Sequence, residues 1–195
     1  MKRTWIVSIV SAVAAMLLFG CVPTTTVKTN WKDPAYRGAV SHSMLVICSP
    51  IREEEGWCDA EFAAQLKEEG ITATQGHTVS ASADSLAKAF ATAQKLGINT
   101  VLVSCFEGVK SQLDLYPGES PNRVLSPTSQ HWSDRQYQRN DYQLFRTVLY
   151  DAATGKVIWM ATSATLLYSS GRRTMESYAR AVIKEMRRQK LLPSR

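Results

Sequence analysis

The chain has 195 residues, 45% of them hydrophobic and 21% charged, with ten glycines, seven prolines and four cysteines. That composition supports one globular domain and excludes disordered, collagen-like and disulfide-dense miniprotein classes. Only one long apolar run exists, so a polytopic membrane protein is excluded too. The formal charge of +6 acquires meaning only once its position along the chain is known.

Lys2 and Arg3 open the chain, and an apolar stretch follows from Trp5 to Phe19. As a helix it would rise roughly 22 Å, short of the ~30 Å hydrocarbon core. A basic start, an apolar centre and a small residue before the cleavage point are the layout of a secretory signal. The run ends Leu18-Phe19-Gly20-Cys21, which resembles a bacterial lipoprotein signal cleaved before Cys21, the residue that then carries lipid. Several acyl chains, at ~0.8 kcal/mol per buried methylene, would hold the mature chain on a membrane durably. Val22 stands where an aspartate would signal inner-membrane retention in that pattern. An outer-membrane anchor facing the periplasm is therefore expected.

Removing residues 1–20 takes away Lys2 and Arg3 and no acids, so +6 becomes +4. Residues 172–195 hold eight basic side chains against Glu176 and Glu185, a net +6, which leaves 21–171 at −2. The mature protein is thus near neutral with a basic end. Export also argues against nucleic acid as a partner.

Residues 21–42 read as a lipidated tether, with Trp31 and Tyr36 around a turn-forming Asp33-Pro34 and expected to pack on the domain. A single periplasmic domain is expected over 43–195. Met44-Leu45-Val46-Ile47 is a continuous apolar run, as in a strand buried on both faces. A helix follows with Phe62, Ala63 and Leu66 on one side, then a weaker strand over Ile71–Thr74. The next helix carries Leu86, Phe90, Ala93 and Leu96 on one face and leads to a strand at Thr100–Val103. Gly70 and Gly97 each follow a last helical turn, where the left-handed cap costs glycine nothing. Short links between alternating strands and helices predict parallel strands with right-handed crossovers.

The second half changes character. Tyr142–Tyr150 and Lys156–Leu167 read as strands joined by the turn Asp151-Ala152-Ala153-Thr154-Gly155, a β-hairpin. Met175, Tyr178, Ala179, Val182, Ile183 and Met186 form an unbroken helical stripe. The predicted class is α/β, with a mixed sheet of about five strands: βαβαβ, an antiparallel hairpin and a C-terminal helix. Between 108 and 141 no period is visible. A stretch of that length is a binding surface or a plain connection.

Motifs of catalysis are sparse. Three cysteines besides Cys21, namely Cys48, Cys58 and Cys105, would meet an oxidising compartment, where they can stay free or form one disulfide with a leftover thiol, by either Cys48–Cys58 or Cys48–Cys105. No Cys-x-x-Cys exists, and His42, His77 and His131 lack ligand spacing, which makes them surface histidines rather than a metal site. Ala153-Thr154-Gly155-Lys156-Val157 echoes a phosphate loop without its upstream glycine, and Ser85-Leu86-Ala87-Lys88 lacks the partner motifs of penicillin-recognising enzymes. Neither a metal nor a cofactor is expected.

Three stretches resemble a family of bacterial lipoproteins with a Trp-x-Asp-Pro-x-Tyr start. They are Trp31–Tyr36, the strand-helix block from Met44 to Ser104, and Leu149–Trp159 with the helix ending Leu191-Leu192-Pro193. More distantly the layout is similar to the small α/β domain of the TolB N-terminus, of the curli secretion lipoprotein and of outer-membrane activators of penicillin-binding proteins. That resemblance implies a periplasmic domain that docks other proteins and turns over no substrate.

The expectation is a non-catalytic adaptor in the cell envelope. Its candidate contacts are Tyr116, Trp132 and Tyr137 in the long loop. Lys184, Arg187 and Arg188 on the basic helix could also meet lipid phosphates or an acidic partner. The alternative is an envelope enzyme or small-ligand binder, with Cys48, Ser49, Cys105 and Glu107 converging where open α/β sheets bind ligands, at the carboxyl ends of the strands.

Overall fold

Alternating apolar and polar side chains along the strands settle the architecture, because each face of the sheet must find a cover. The computed structural model describes residues 24–36, 40, 42–49, 56–79, 85–115 and 137–193, without the side chains of 114, 115, 137 and 138. Among them six strands form one mixed sheet: β1 Thr25–Lys32, β2 Ser43–Ser49, β3 Thr72–Gln75, β4 Thr100–Leu115, β5 Tyr137–Asp151 and β6 Val157–Leu166. Three helices accompany them: α1 Trp57–Glu68, α2 Leu86–Lys95 and α3 Gly171–Arg188. The spatial order is β1-β6-β5-β4-β2-β3. β3, β2 and β4 run parallel, and β4, β5, β6 and β1 pair antiparallel.

The expected α/β class and its order of elements hold, with one strand added. β1 lies inside the stretch read as tether, 21–42, and pairs with β6 from Thr25↔Thr165 to Lys32↔Trp159. Its sequence hides it. Only one face of an edge strand is covered, and that face meets polar groups of α3. Trp31, expected to pack on the domain, is instead 42% exposed, whereas Tyr36 is half-buried against the core.

The second difference lies in the long loop expected over 108–141. β4 and β5 stay paired out to Leu115↔Tyr137, so both flanks of that segment are strand. No period was visible because residues 109–113 are exposed on both faces. An unburied strand carries no alternation.

β2 shows why a continuous apolar run was needed. Met44 and Val46 point to the face covered by α1 and α3, and Leu45 and Ile47 to the face covered by α2. The chain moves from β2 outward to β3 and then back across β2 to β4. Right-handed connections therefore set α1 and α2 on opposite faces. Gly70 and Gly97 adopt φ of +75° and +68° at the helix exits, the conformation their caps require. On α2 the buried residues are Ala89 and Ala93, while Leu96 turns outward at 50% exposure.

Helix α3 buries every residue of its predicted stripe. Met175, Val182, Ile183 and Met186 each contribute about 1.5–3 kcal/mol in leaving water. Tyr178, fully buried, stacks on Phe145 and meets Phe62 edge-on. Its hydroxyl bonds to those of Ser104 at 2.7 Å and Thr147 at 2.5 Å, pinning α3 to the two central strands. Burial pushes this phenol up to about 12, less the help both hydroxyls give its ionised form. It stays neutral throughout the physiological range.

Tyr178→Phe keeps the ring and strands two buried hydroxyls, so the domain should lose about 1–3 kcal/mol. A urea unfolding curve reads this as a lower midpoint at unchanged slope.

Candidate functional site

The carboxyl ends of the parallel strands bring together a disulfide, a buried carboxylate and a histidine. Cys48, near the end of β2, is disulfide-bonded to Cys58 in the first turn of α1, with Cα atoms 6.1 Å apart. Strand register decides between the two pairings open to the sequence. Cys48 lies opposite Ser104 and Ser49 opposite Cys105; side chains on successive residues point to opposite faces. Cys48 accordingly packs with the core under α1 and α3, and Cys105 with the core under α2. A Cys48–Cys105 bond would have to pass through the sheet.

The convergence expected of Cys48, Ser49, Cys105 and Glu107 is therefore only partial. Ser49 and Cys105 share one face, where Cys105 faces Arg146 across the β4–β5 ladder and Arg146 pairs with Glu107. Cys48 belongs to the other face. A groove of about 480 Å³ lies elsewhere, between α1 and β3, lined by Ala60, Ala63, Ala64, Lys67, Ile71 and Ala73 among others.

His77 is exposed, as expected of a surface histidine, but its buried carboxylate partner escaped the sequence reading. Asp59, 4% exposed, follows Cys58 in α1. Its Oδ1 accepts the Cys48 backbone N–H at 2.8 Å, and its Oδ2 accepts the His77 backbone N–H at 3.2 Å. The same oxygen lies 3.1 Å from His77 Nδ1. A carboxylate only accepts, so Nδ1 carries a proton here and Nε2 is left as the second ring nitrogen. The carboxylate thus ties three elements together: the end of β2, the start of α1 and the turn after β3. The imidazole lies over Gly56, where a Cβ would come within 3.8 Å of the ring and where φ is +89°.

A histidine oriented by a buried carboxylate is one component of general-base chemistry. The separation of 18 residues between Asp59 and His77 leaves no local spacing that sequence could reveal. Among the described residues no group of three or more His, Cys, Asp or Glu is placed to hold a metal ion.

Two of the basic side chains at the end of α3 are paired within the molecule. Arg187 pairs with Glu69 at the end of α1, its Nε 3.1 Å from Oε2. Arg172 Nε donates to Glu61 at 2.9 Å, so ion pairs clamp α3 to α1 at both ends. Arg188 places its Nε and Nη2 at 2.7 Å from the two oxygens of Glu185. Glu185 also accepts from Thr29 of β1 at 2.5 Å and from Gln189 at 2.9 Å. Of the three basic candidates, Arg187 and Arg188 serve the fold, and Lys184 is exposed. Tyr116, Trp132 and Cys21 lie outside the described residues. Tyr137 begins β5 opposite Leu115.

No protein family matches the chain, and no curated protein matches it either. Among solved structures, the chain is similar to the PelC dodecamer from Paraburkholderia phytofirmans, at 17% identity over 82% of this chain and 94% of that one, with a TM-score of 0.48. It is also similar to lipoprotein GNA1162 from Neisseria meningitidis, at 17% identity over 75% of this chain and 98% of that one, with a TM-score of 0.42. At these identities and scores, neither neighbour's assembly or activity transfers to this chain.

The Arg188 hydrogen bonds, followed by those from Thr29 and Gln189, hold the Glu185 carboxyl at about 2, below its ordinary 4.5, against the opposing effect of burial. A depressed carboxylate stabilises the fold above the unfolded value and loses that contribution as pH falls. Stability should therefore decline between pH 4.5 and about 2. In Glu185→Gln this part of the acid dependence should flatten, as read by thermal midpoints across that range.

Proposed function

We propose that the chain is an outer-membrane lipoprotein, acylated on Cys21, whose periplasmic α/β domain docks a protein of the cell envelope and carries out no catalysis. The observation that carries this reading is Leu18-Phe19-Gly20-Cys21 closing a fifteen-residue apolar run, with β1 beginning only four residues later. Such spacing suits a domain held close against the membrane. Among the described residues no helix is long and apolar enough to cross one. The docking surface in this reading is the segment between β4 and β5, with Tyr116 and Trp132 as anchors, Tyr137 at its edge and Lys184 a further exposed contact.

One observation favours the alternative of an envelope enzyme or small-ligand binder at the strand ends. It is the Asp59–His77 pair beside the Cys48–Cys58 disulfide. Under the adaptor reading this pair is an internal fastening, and truncating His77 leaves partner capture intact.

Crosslinking in intact cells, read by mass spectrometry, tests the choice. Wild type should capture a discrete envelope protein, a variant lacking residues 116–136 should lose it, and His77→Ala should retain it. Capture that survives the deletion but not His77→Ala would favour the strand-end site. No specific capture in any sample would remove the adaptor reading.

A further inference from the structure

We propose that the open edge of β3 is a docking site for an extended segment of a partner protein, which adds to the sheet as a further strand beside α1. The site stands apart from the segment between β4 and β5 and does not depend on what that segment binds.

Strand register exposes the backbone groups that such a segment needs. β3 ends the sheet order and pairs in parallel with β2 from Ser43↔Thr72 to Val46↔Gln75. The Thr72 N–H donates to the His42 carbonyl at 2.8 Å, so Thr72 turns its backbone groups toward β2. Alternation along the strand then turns those of Ala73 and Gln75 outward. The Gln75 carbonyl accepts from Thr78 Oγ1 at 2.7 Å. The Ala73 N–H and C=O and the Gln75 N–H meet no backbone partner among the described residues. A row of unpaired groups along a sheet edge is a template for another strand.

The space beside that edge is already formed. Ala73 lies opposite Met44 and so faces α1. There Ala60, Ala63, Ala64 and Lys67 share one side of the helix, all but the half-buried Ala63 exposed. Between helix and strand lies the groove of about 480 Å³, within the range of ligand pockets. On an added strand every second side chain points into it, and alanine walls leave room there for small apolar groups. Main-chain hydrogen bonds for affinity, with a groove for alternate side chains, are the two parts of recognition by strand addition.

Charge narrows the occupant further. Lys67 is the one charged side chain among the described residues that line the groove. It joins none of the ion pairs among the described residues. α1 runs back along β3, so Lys67 stands at the Thr72 end and Ala60 at the Gln75 end. The segment that fits has small apolar residues at alternate positions and a carboxylate near Thr72. β1, the other edge of the sheet, carries Lys28 and Lys32 and no acid. A second copy of this chain, docking through β1, would bring Lys67 no carboxylate.

A random library of short displayed peptides, selected against the full-length protein in detergent micelles, tests this. Enriched peptides should alternate small apolar with polar residues and carry Asp or Glu at one end. Lys67→Glu should turn that preference from acidic to basic. Ala64→Trp fills the groove from an exposed helix position, and Ala73→Pro removes the outward N–H at an edge that tolerates proline. Each should weaken the selected peptide about tenfold. Amide exchange should slow at Ala73 and Gln75 when the peptide is bound. Deleting residues 116–136 should leave its affinity unchanged, so failure here is separate from failure of that segment. The proposal is overturned if nothing is enriched, or if the peptides bind wild type, Lys67→Glu and Ala64→Trp alike. It is overturned too if sedimentation shows the wild type self-associating and a folded Ala64→Trp chain does not, because a second copy then occupies the edge.

Discussion

The pairing of β1 with β6 is the constraint from which the rest follows. It takes a polar stretch that would otherwise be a leader and builds it into the edge of the sheet within four residues of Cys21. The domain is then held within a few residues of whatever holds Cys21. The direction in which β1 leaves the sheet is fixed by its register, and the same register sends β4 and β5 past the last row of β1. A lipid anchor here would set both the distance and the orientation of the domain.

What keeps β1 in place is a polar seam. Ser177 on α3 bonds Thr24 and Thr25 at 2.7 and 2.8 Å, and Glu185 bonds Thr29, which in turn accepts from Trp159 Nε1 at 3.1 Å. Lys32 donates to the Gln189 carbonyl at 2.5 Å. α3 is itself seated by its apolar stripe and by the buried Tyr178 hydroxyl on β4 and β5. Apolar burial supplies most of the attraction, whereas the hydroxyls and Glu185 specify which rotation of the helix is accepted. Arg187 and Arg188, at the end of α3, are part of this seating.

The sequence was most legible where burial writes a pattern. Met44–Ile47 covered on both faces, the six-residue stripe of α3 and the glycine caps at Gly70 and Gly97 all carry local signatures of their structural roles. The Asp151–Gly155 turn does too, with Asp151 Oδ1 accepting the Thr154 N–H at 2.7 Å. Legibility ended where partners are distant or water is the partner. β1 meets hydroxyls, so Thr25 and Thr29 look like linker; the exposed end of β4 has no buried face to alternate. Asp59 and His77 come together only after β3 has docked on β2. The disulfide was narrowed to two pairings by sequence, and alternation along β2 and β4 then decided between them.

The central claim is that the chain's anchor is Cys21 and that its domain begins almost at once. Intact-mass and N-terminal peptide spectrometry of the protein extracted from membranes tests it most directly. The account predicts a chain whose first residue is Cys21, carrying a thioether-linked diacylglycerol. A chain that retains residues 1–20, or one that starts elsewhere and bears no lipid, would contradict it.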